Sequence, residues 1–333
     1  NVTGGTDGIN AVNDGDGSLS ITTTGTVTGN GVSGAGIRAD NSGTNLTIEA
    51  ANVYGNYDGI IADNSGSGEL QIEVTGKVTA TNNYGITAYN RSTGTNATIE
   101  VNDITSLDHG IYAKNYGSGA IDITATGDVE NSGSTSAVYA YNSDNGTSLD
   151  VEVNNVRSPD NDAIRAYNKG SGDLVISATG SVEAGDTPGD DGIFANNYNT
   201  TTGDIEITAN NVTATSEAIK VENNGSGSIR VETTGRIEGG FHSAISLLNF
   251  SNTSKDLVVS ANNVYRTGRD GSTSGSGAAI EAKQYGSGAL SITSTGNIVD
   301  DFYSGIYARA SGVGASDAVD PAGNSLEGVS LAI

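Results

Sequence analysis

The stretch Gly-Ile-x-Ala-x-Asn returns about every 26 residues, and no other feature restricts the fold of this chain as tightly. Clean copies lie at 36–41, 59–64, 85–90, 110–115 and 192–197. Ala replaces the leading Gly at Ala137, Ala163, Ala218, Ala244 and Ala279, and Gly8 and Gly305 open two more copies. A fixed period of this length marks a stacked array, in which each unit buries its apolar face only against its neighbours. That outweighs the division into two or more domains that 333 residues would suggest.

Each repeat holds three strand patterns. The Ile, Ala and Asn of the first lie two apart and share one face. The second reads Leu-x-Ile, as in Leu46-Thr47-Ile48 and Leu70-Gln71-Ile72, and the third ends in a β-branched residue such as Val53, Val78 or Ile104. Period-2 alternation with β-branched residues predicts strands, and no helical period appears. Three strands and three turns make one coil, with coils about 4.8 Å apart. The expected fold is all-β: a single-stranded parallel β-helix (β-solenoid) of about 11–12 rungs, continuous over residues 1–310. Residues 311–333 are expected to be a degenerate cap or a truncated end. The third pattern alternates between Thr-Gly (Thr75-Gly76, Thr126-Gly127, Thr234-Gly235) and Asn (Asn102-Asp103, Asn154-Asn155, Asn210-Asn211). The true unit is therefore a pair of rungs.

Composition narrows the function classes. Gly is high at 48 but Pro is only 3, and aliphatics recur at fixed places, which argues against a disordered Gly-rich tract. A net charge of −24 repels nucleic acid and anionic membranes, and is compatible with diffuse Ca2+ binding. The absence of Cys excludes disulfides, thiolate nucleophiles and zinc–thiolate sites. No apolar run is long enough for a membrane-spanning helix. The chain opens inside a repeat with no signal peptide, as a mature chain or an excised fragment would.

Three sets of residues invite a role. Asn41, Asn64, Asn90, Asn115, Asn142, Asn168, Asn197, Asn223 and Asn249 form an inward column at a corner. Stacked amides can bond one another and the turn backbone, and Asn tolerates the left-handed conformation of sharp turns. The column ends in Gln284 and Ala310, so the last two rungs should turn differently. The outward positions of the first strand hold Arg38, Tyr89, Tyr112, Lys114, Tyr139, Tyr141, Arg165, Tyr167, Phe194, Tyr307 and Arg309, together with Lys220 and Lys283. Aromatic faces stack on sugars or proteins and cations pair with carboxylates, so this is the candidate ligand or self-association face. Strand propensity with cross-rung stacking is the plainer explanation. The second strand carries an outward column with Glu49, Glu73, Glu100, Glu152 and Glu232.

The third set is Asp7, Asp58, Asp162, Asp190, Asp191 and Glu217, just before the first strand. Paired carboxylates can hydrolyse glycosides, but their spacing does not place two at a catalytic distance, and turn residues are the default. Asp190-Asp191 and Asp300-Asp301 are weak Ca2+ candidates that lack the β-roll repeat. The longest connection, 265–278 with Arg266, Arg269 and Asp270, is either a binding-side insertion or a tolerated surface loop. His109 and His242 lie about five rungs apart, and no nucleophile elbow, P-loop or zinc spacing occurs. No catalytic residue, metal or cofactor is expected.

The run Gly119-Ala120-Ile121-Asp122-Ile123-Thr124-Ala125-Thr126-Gly127-Asp128-Val129, followed by Ala137-Val138-Tyr139-Ala140-Tyr141-Asn142, resembles the passenger domains of bacterial autotransporters, the type V secretion proteins of Gram-negative bacteria. The resemblance covers residues 1 to about 310. It implies a right-handed coil, translocation by a barrel outside this chain, and a place on the bacterial cell surface or beyond it. The Gly-Asp-Ser-Gly motif of the serine-protease branch is missing, and so is Arg-Gly-Asp. What remains is the adhesin branch: attachment, self-association and biofilm formation without catalysis. The partners implied are a host glycan, a matrix protein or another copy of the chain, with no nucleic acid and no membrane insertion. The alternatives are a polysaccharide-degrading β-helix enzyme, which would need a non-repeating cluster of Asp, Arg and Lys on a few rungs, and an inert stalk presenting another domain.

Overall fold

The computed structural model describes residues 1–185, 189–198, 202–268, 277–301 and 303–311, with strand backbone at 317–319, 325–327 and 329–332. The described part is an all-β, right-handed parallel β-solenoid of about 11 turns. It divides into two units, Asn1–Pro159 and Asp160–Ile333. Each unit has a sheet of short strands and a sheet of long ones.

In the first unit the short strands are Ile9–Asn13, Ile37–Asn41, Ile60–Asn64, Ile86–Asn90, Ile111–Asn115 and Val138–Asn142. They stack in register, so that Ile111 faces Ile86 and Val138, and Asn115 faces Asn90 and Asn142. The long strands run from Leu19–Gly29 to Leu149–Ser158 and fuse the second and third sequence patterns into one element. In the second unit the short strands run from Ile164–Asn168 to Ser304–Ala310. There the long strand is whole in Leu174–Ala184 and Ile205–Thr213, then splits into pairs such as Leu257–Ala261 and Asn263–Arg266. Alternation decides which side faces in: in Ile60–Asn64 the Ile, Ala and Asn are buried, and Ile61 and Asp63 are not. The core is a set of continuous aliphatic columns, among them Leu46, Leu70, Ala97, Ile121 and Leu149, each no more than 1% exposed. Burying one large aliphatic side chain is worth about 1.5–3 kcal/mol, and only a neighbouring rung supplies the cover.

The two-rung alternation has a mechanical cause. The Thr-Gly strand Leu70–Ala80 has 11 residues against 10 in Leu46–Gly55, and the register slips between Ala50 and Val53 to admit the extra one. This is a β-bulge, which leaves a backbone N–H in need of a partner. The Asn rung supplies it. Asn52 Oδ1 accepts from the N–H of Lys77 at 3.0 Å, and Asp103 Oδ1 from that of Asp128 at 3.0 Å. In the second unit Asn211 Oδ1 accepts from Arg236 at 2.9 Å and Asn263 Oδ1 from Asn297 at 3.1 Å. Glycine at the bulge follows from the close approach: a Cβ on Gly76 would lie 2.5 Å from the Ala51 carbonyl oxygen, and one on Gly235 2.6 Å from that of Asn210.

Candidate functional site

The outward positions of the short strands converge in the first unit. Register places Tyr112 beside Tyr139, and Lys114 beside Tyr89 and Tyr141. The Tyr112 and Tyr139 rings stack with centroids 5.0 Å apart and planes 24° apart. Tyr112 also meets His109 at 5.0 Å and Tyr84 at 5.5 Å, Tyr89 adds an edge-on contact at 5.9 Å, and His109 reaches Tyr139 at 5.7 Å. Lys114 Nζ lies 4.7 Å from the Tyr112 centroid and 5.5 Å from that of Tyr139. His109 Nδ1 donates to the Ser136 carbonyl at 2.6 Å, which fixes that ring against the turn. Tyr116 and Tyr141 form a separate pair at 5.9 Å. Burial raises the pKa of Tyr84, Tyr89 and Tyr112, so all three stay phenolic at neutral pH. Arg38 stands apart, 3.6 Å from Asp7.

Stacking along the array shapes what this face presents. The Tyr112 and Tyr139 faces meet each other, so at this pair a ligand meets ring edges and hydroxyls. Tyr84, His109, Arg91 and Tyr116, absent from the sequence-derived face, belong to it. They flank the strand in its turns, and aligning turn positions as columns would have revealed them.

In the second unit the outward column reads Arg165, Phe194, Lys220 on adjacent strands. Asp162, Asp191 and Glu217 sit three residues earlier on the same rungs, with side chains 1%, 5% and 9% exposed. Arg165 Nε is 2.6 Å from Asp162 Oδ2. Lys220 Nζ is 3.6 Å from Asp191 Oδ2 and 3.9 Å from Glu217 Oε1. The two cations flank Phe194, at 5.8 and 5.4 Å from its centroid. Tyr167 meets Phe194 edge-on at 5.6 Å. Spacing alone suggested scatter, yet three consecutive rungs gather these carboxylates.

Their backbone bonds explain their place. Asp162 Oδ1 accepts from the Asp191 N–H at 2.7 Å, and Asp191 Oδ1 from the Glu217 N–H at 3.2 Å. In the first unit Asp7 does the same for Ala35 at 2.8 Å, and Asp58 for Tyr84 at 3.3 Å. Each carboxylate ties its turn to the equivalent residue one rung on. Burial comes first among the causes that push Asp191 up to about 8, followed by the neighbouring Glu217 and Asp162, with Lys220 opposing. Asp162 is raised as well, chiefly by burial against the pull of Arg165.

The inward Asn column is a side-chain amide chain in the first unit. Nδ2 donates to the next Oδ1 from Asn41 to Asn64 (2.8 Å), Asn64 to Asn90 (2.9 Å), Asn90 to Asn115 (2.9 Å) and Asn115 to Asn142 (3.1 Å). In the second unit Asn223 donates to Asn249 at 2.8 Å, and Asn168 to the Gly172 carbonyl at 2.8 Å. The buried Asn197 Oδ1 has no partner, which interrupts the chain there. Gln284 is buried in register with Asn249 and meets the Lys255 carbonyl, and Ala310 follows it. Among the described residues none but glycine has positive φ, so these corners do not use the left-handed backbone expected of Asn.

Other expectations fall differently. Arg266 lies in the strand Asn263–Arg266 and is 1% exposed, not in a surface loop. Its guanidinium donates to the His242 and Phe241 carbonyls at 2.5 and 3.1 Å and meets Asp300 at 3.3 Å. Asp300 therefore serves an ion pair; Arg269 and Asp270 lie outside the described residues. Tyr307 is near Lys283 Nζ at 5.7 Å, and Arg309 lies over Tyr285 at 5.9 Å, away from the two clusters above. Among the described residues no group of His, Cys, Asp or Glu could hold a metal ion, and no helix is long and apolar enough to cross a membrane.

No family model, no curated protein and no solved structure matches the sequence, so the autotransporter resemblance rests on the repeats and on a fold compatible with it.

Proposed function

We propose that this chain is a section of an exported, non-enzymatic β-helix of the autotransporter passenger type, which mediates attachment or self-association at the bacterial surface. The observation that carries the reading is the cluster of Tyr89, Tyr112, Tyr139 and Lys114 on the outward side of three neighbouring strands. With the Tyr112 and Tyr139 faces stacked on each other, that pair offers phenol edges and hydroxyls beside the Lys114 ammonium. Those groups suit a polar partner: a host glycan, a matrix protein, or another copy of the chain. A regular array multiplies weak contacts of this kind. Sedimentation velocity across a concentration series, beside glycan and matrix-protein binding screens, tests the reading on the parent and on a Tyr112→Ser/Tyr139→Ser variant. Association or binding that the variant loses supports it. A parent that neither associates nor binds leaves an inert stalk instead.

A second reading has one specific observation behind it. Asp162, Arg165, Asp191, Glu217 and Lys220 form a non-repeating cluster on three rungs, the pattern a polysaccharide-cleaving β-helix would need. Against it, one oxygen of Asp162 and one of Asp191 already accept a backbone N–H. Release of reducing ends from acidic polysaccharides, lost in Asp191→Asn, would replace adhesion with catalysis.

A further inference from the structure

The chain contains no Cys, Met or Trp. Those three side chains normally yield electrons first to an oxidant, and their absence passes that role to tyrosine. Tyr is present 14 times, and four of these residues, Tyr84, Tyr89, Tyr112 and Tyr139, form one connected ring cluster in the first unit. Among these four, only Tyr112 and Tyr139 combine adjacent in-register strands with near-parallel rings.

We propose that Tyr112 and Tyr139 are an oxidative cross-linking site, at which hydrogen peroxide activated by a haem peroxidase joins the two rungs through a dityrosine bond. The two phenols each lose one electron and one proton. The resulting radicals pair, a carbon–carbon bond forms between the ring positions ortho to the hydroxyls, and rearomatisation restores both phenols. Peroxide takes up the two electrons and two protons and leaves as two waters. Tyr84 and Tyr89 touch Tyr112 and can exchange a radical with it, so oxidation that begins at either one can reach the stacked pair, where coupling traps it. The bond closes a covalent loop between residues that sheet pairing already holds side by side, so the rings must turn out of their stack but the backbone need not move. This inference does not depend on the adhesion reading.

The test treats dilute full-length protein with peroxide and peroxidase. The expected result is dityrosine fluorescence at monomeric mobility, and a linked peptide pair that fragmentation assigns to Tyr112 and Tyr139. Tyr139→Phe keeps the ring stack and should lower the fluorescence several-fold and abolish that peptide pair; Tyr112→Phe should do the same. Tyr54→Phe, outside the cluster, should match the parent. Absence of dityrosine, links only between separate chains, or unchanged yield in Tyr139→Phe would each overturn the proposal.

Discussion

The two units share an aliphatic interior and differ in what joins their rungs elsewhere. In the first unit the outward short-strand face is bonded by rings and the inward corner by an unbroken amide chain from Asn41 to Asn142. In the second unit buried charge joins rungs, Lys220 reaching Asp191 and Arg266 reaching Asp300, while Arg165 with Asp162 and Lys220 with Glu217 pair within a rung; a cross-rung pair of the first unit, Arg91 with Asp63, is more exposed. The small-residue column after the third strand shows the change directly. It reads Gly29, Gly55 and Ala80 and then the uncharged Ser106 and Asn131 in the first unit, whereas the second unit carries it from Gly239 to the charged Arg266 and Asp300. A β-solenoid thus fixes its core columns by packing and leaves the others open to different chemistry. The units should therefore respond differently to the same perturbation.

The largest effect is expected where charge has entered the interior. Removing one partner of a buried ion pair costs about 3–5 kcal/mol because the other charge is left uncompensated. Arg266→Ala should lose this much in denaturant unfolding monitored by segment-resolved hydrogen exchange, with the loss confined to the second unit. The control in the first unit is Ser106→Ala in the same column, which removes one hydroxyl bonded at 2.7 Å to the Asp108 carbonyl and should cost about 1 kcal/mol. Equal losses would mean the buried pair has no special weight.

The amide columns give the next contrast. Asn90 donates to Asn115 and the Thr95 carbonyl and accepts from Asn64, so Asn90→Ala should cost about 1–3 kcal/mol for the partners it leaves unsatisfied. Asn197 donates weakly to the Gly203 carbonyl at 3.3 Å and its Oδ1 is unpartnered, so Asn197→Ala should cost clearly less. Thermal melts of the two variants decide it, and the reverse order would show that the interruption at Asn197 is not an energetic one.

How far this was legible in the sequence depends on what kind of spacing carries the information. Strand parity is local, so Ile60, Ala62 and Asn64 reveal their shared face within five residues. The carboxylate stack is not local: Asp162, Asp191 and Glu217 are separated by 29 and 26 residues, and only the register of the strands that follow them brings them together. The strand ending in Arg266 was hidden because a charged residue stands where earlier rungs have Gly, Ala, Ser or Asn, which resembles the start of a loop. Ring orientation was hidden for another reason. Periodicity tells that Tyr112 and Tyr139 point outward, but whether their faces meet solvent or each other is settled by side-chain torsions.

Titration separates the units further. The folded state holds the Asp191 carboxyl at about 8, far above the usual aspartate value near 3.9. At pH between these values the native state binds a proton that the unfolded state lacks. Stability therefore falls as pH rises through that window, at up to about 1.4 kcal/mol per pH unit, and levels off above it. Asp191→Asn should flatten the fall between pH 5 and 8 in the second unit, to the extent that Asp191 rather than Asp162 carries it. An unchanged slope in the variant would assign it to Asp162, whose carboxyl burial also raises.

The smallest effect lies on the outward face of the long strands, and its sign should differ between units. In the first, Glu73 stands in register between Glu49 and Glu100, so three like charges are stacked one rung apart. In the second, Arg230 is in register with Glu206, with Nε 3.6 Å from its Oε1, and also pairs with Glu232. Like charges directly opposite on a sheet are destabilising by a few tenths of a kcal/mol up to about 1, and exposed pairs of opposite sign gain about as little. Glu73→Gln should therefore stabilise the first unit slightly, while Glu206→Gln should slightly destabilise the second. Both shifts should shrink at high salt, where screening reaches within a single rung spacing. Stability measured at low and high salt for the two variants is a test that core packing cannot mimic, since neither substitution touches an inward column. Equal signs, or shifts indifferent to salt, would mean that the outward charges have no part in what distinguishes the two units.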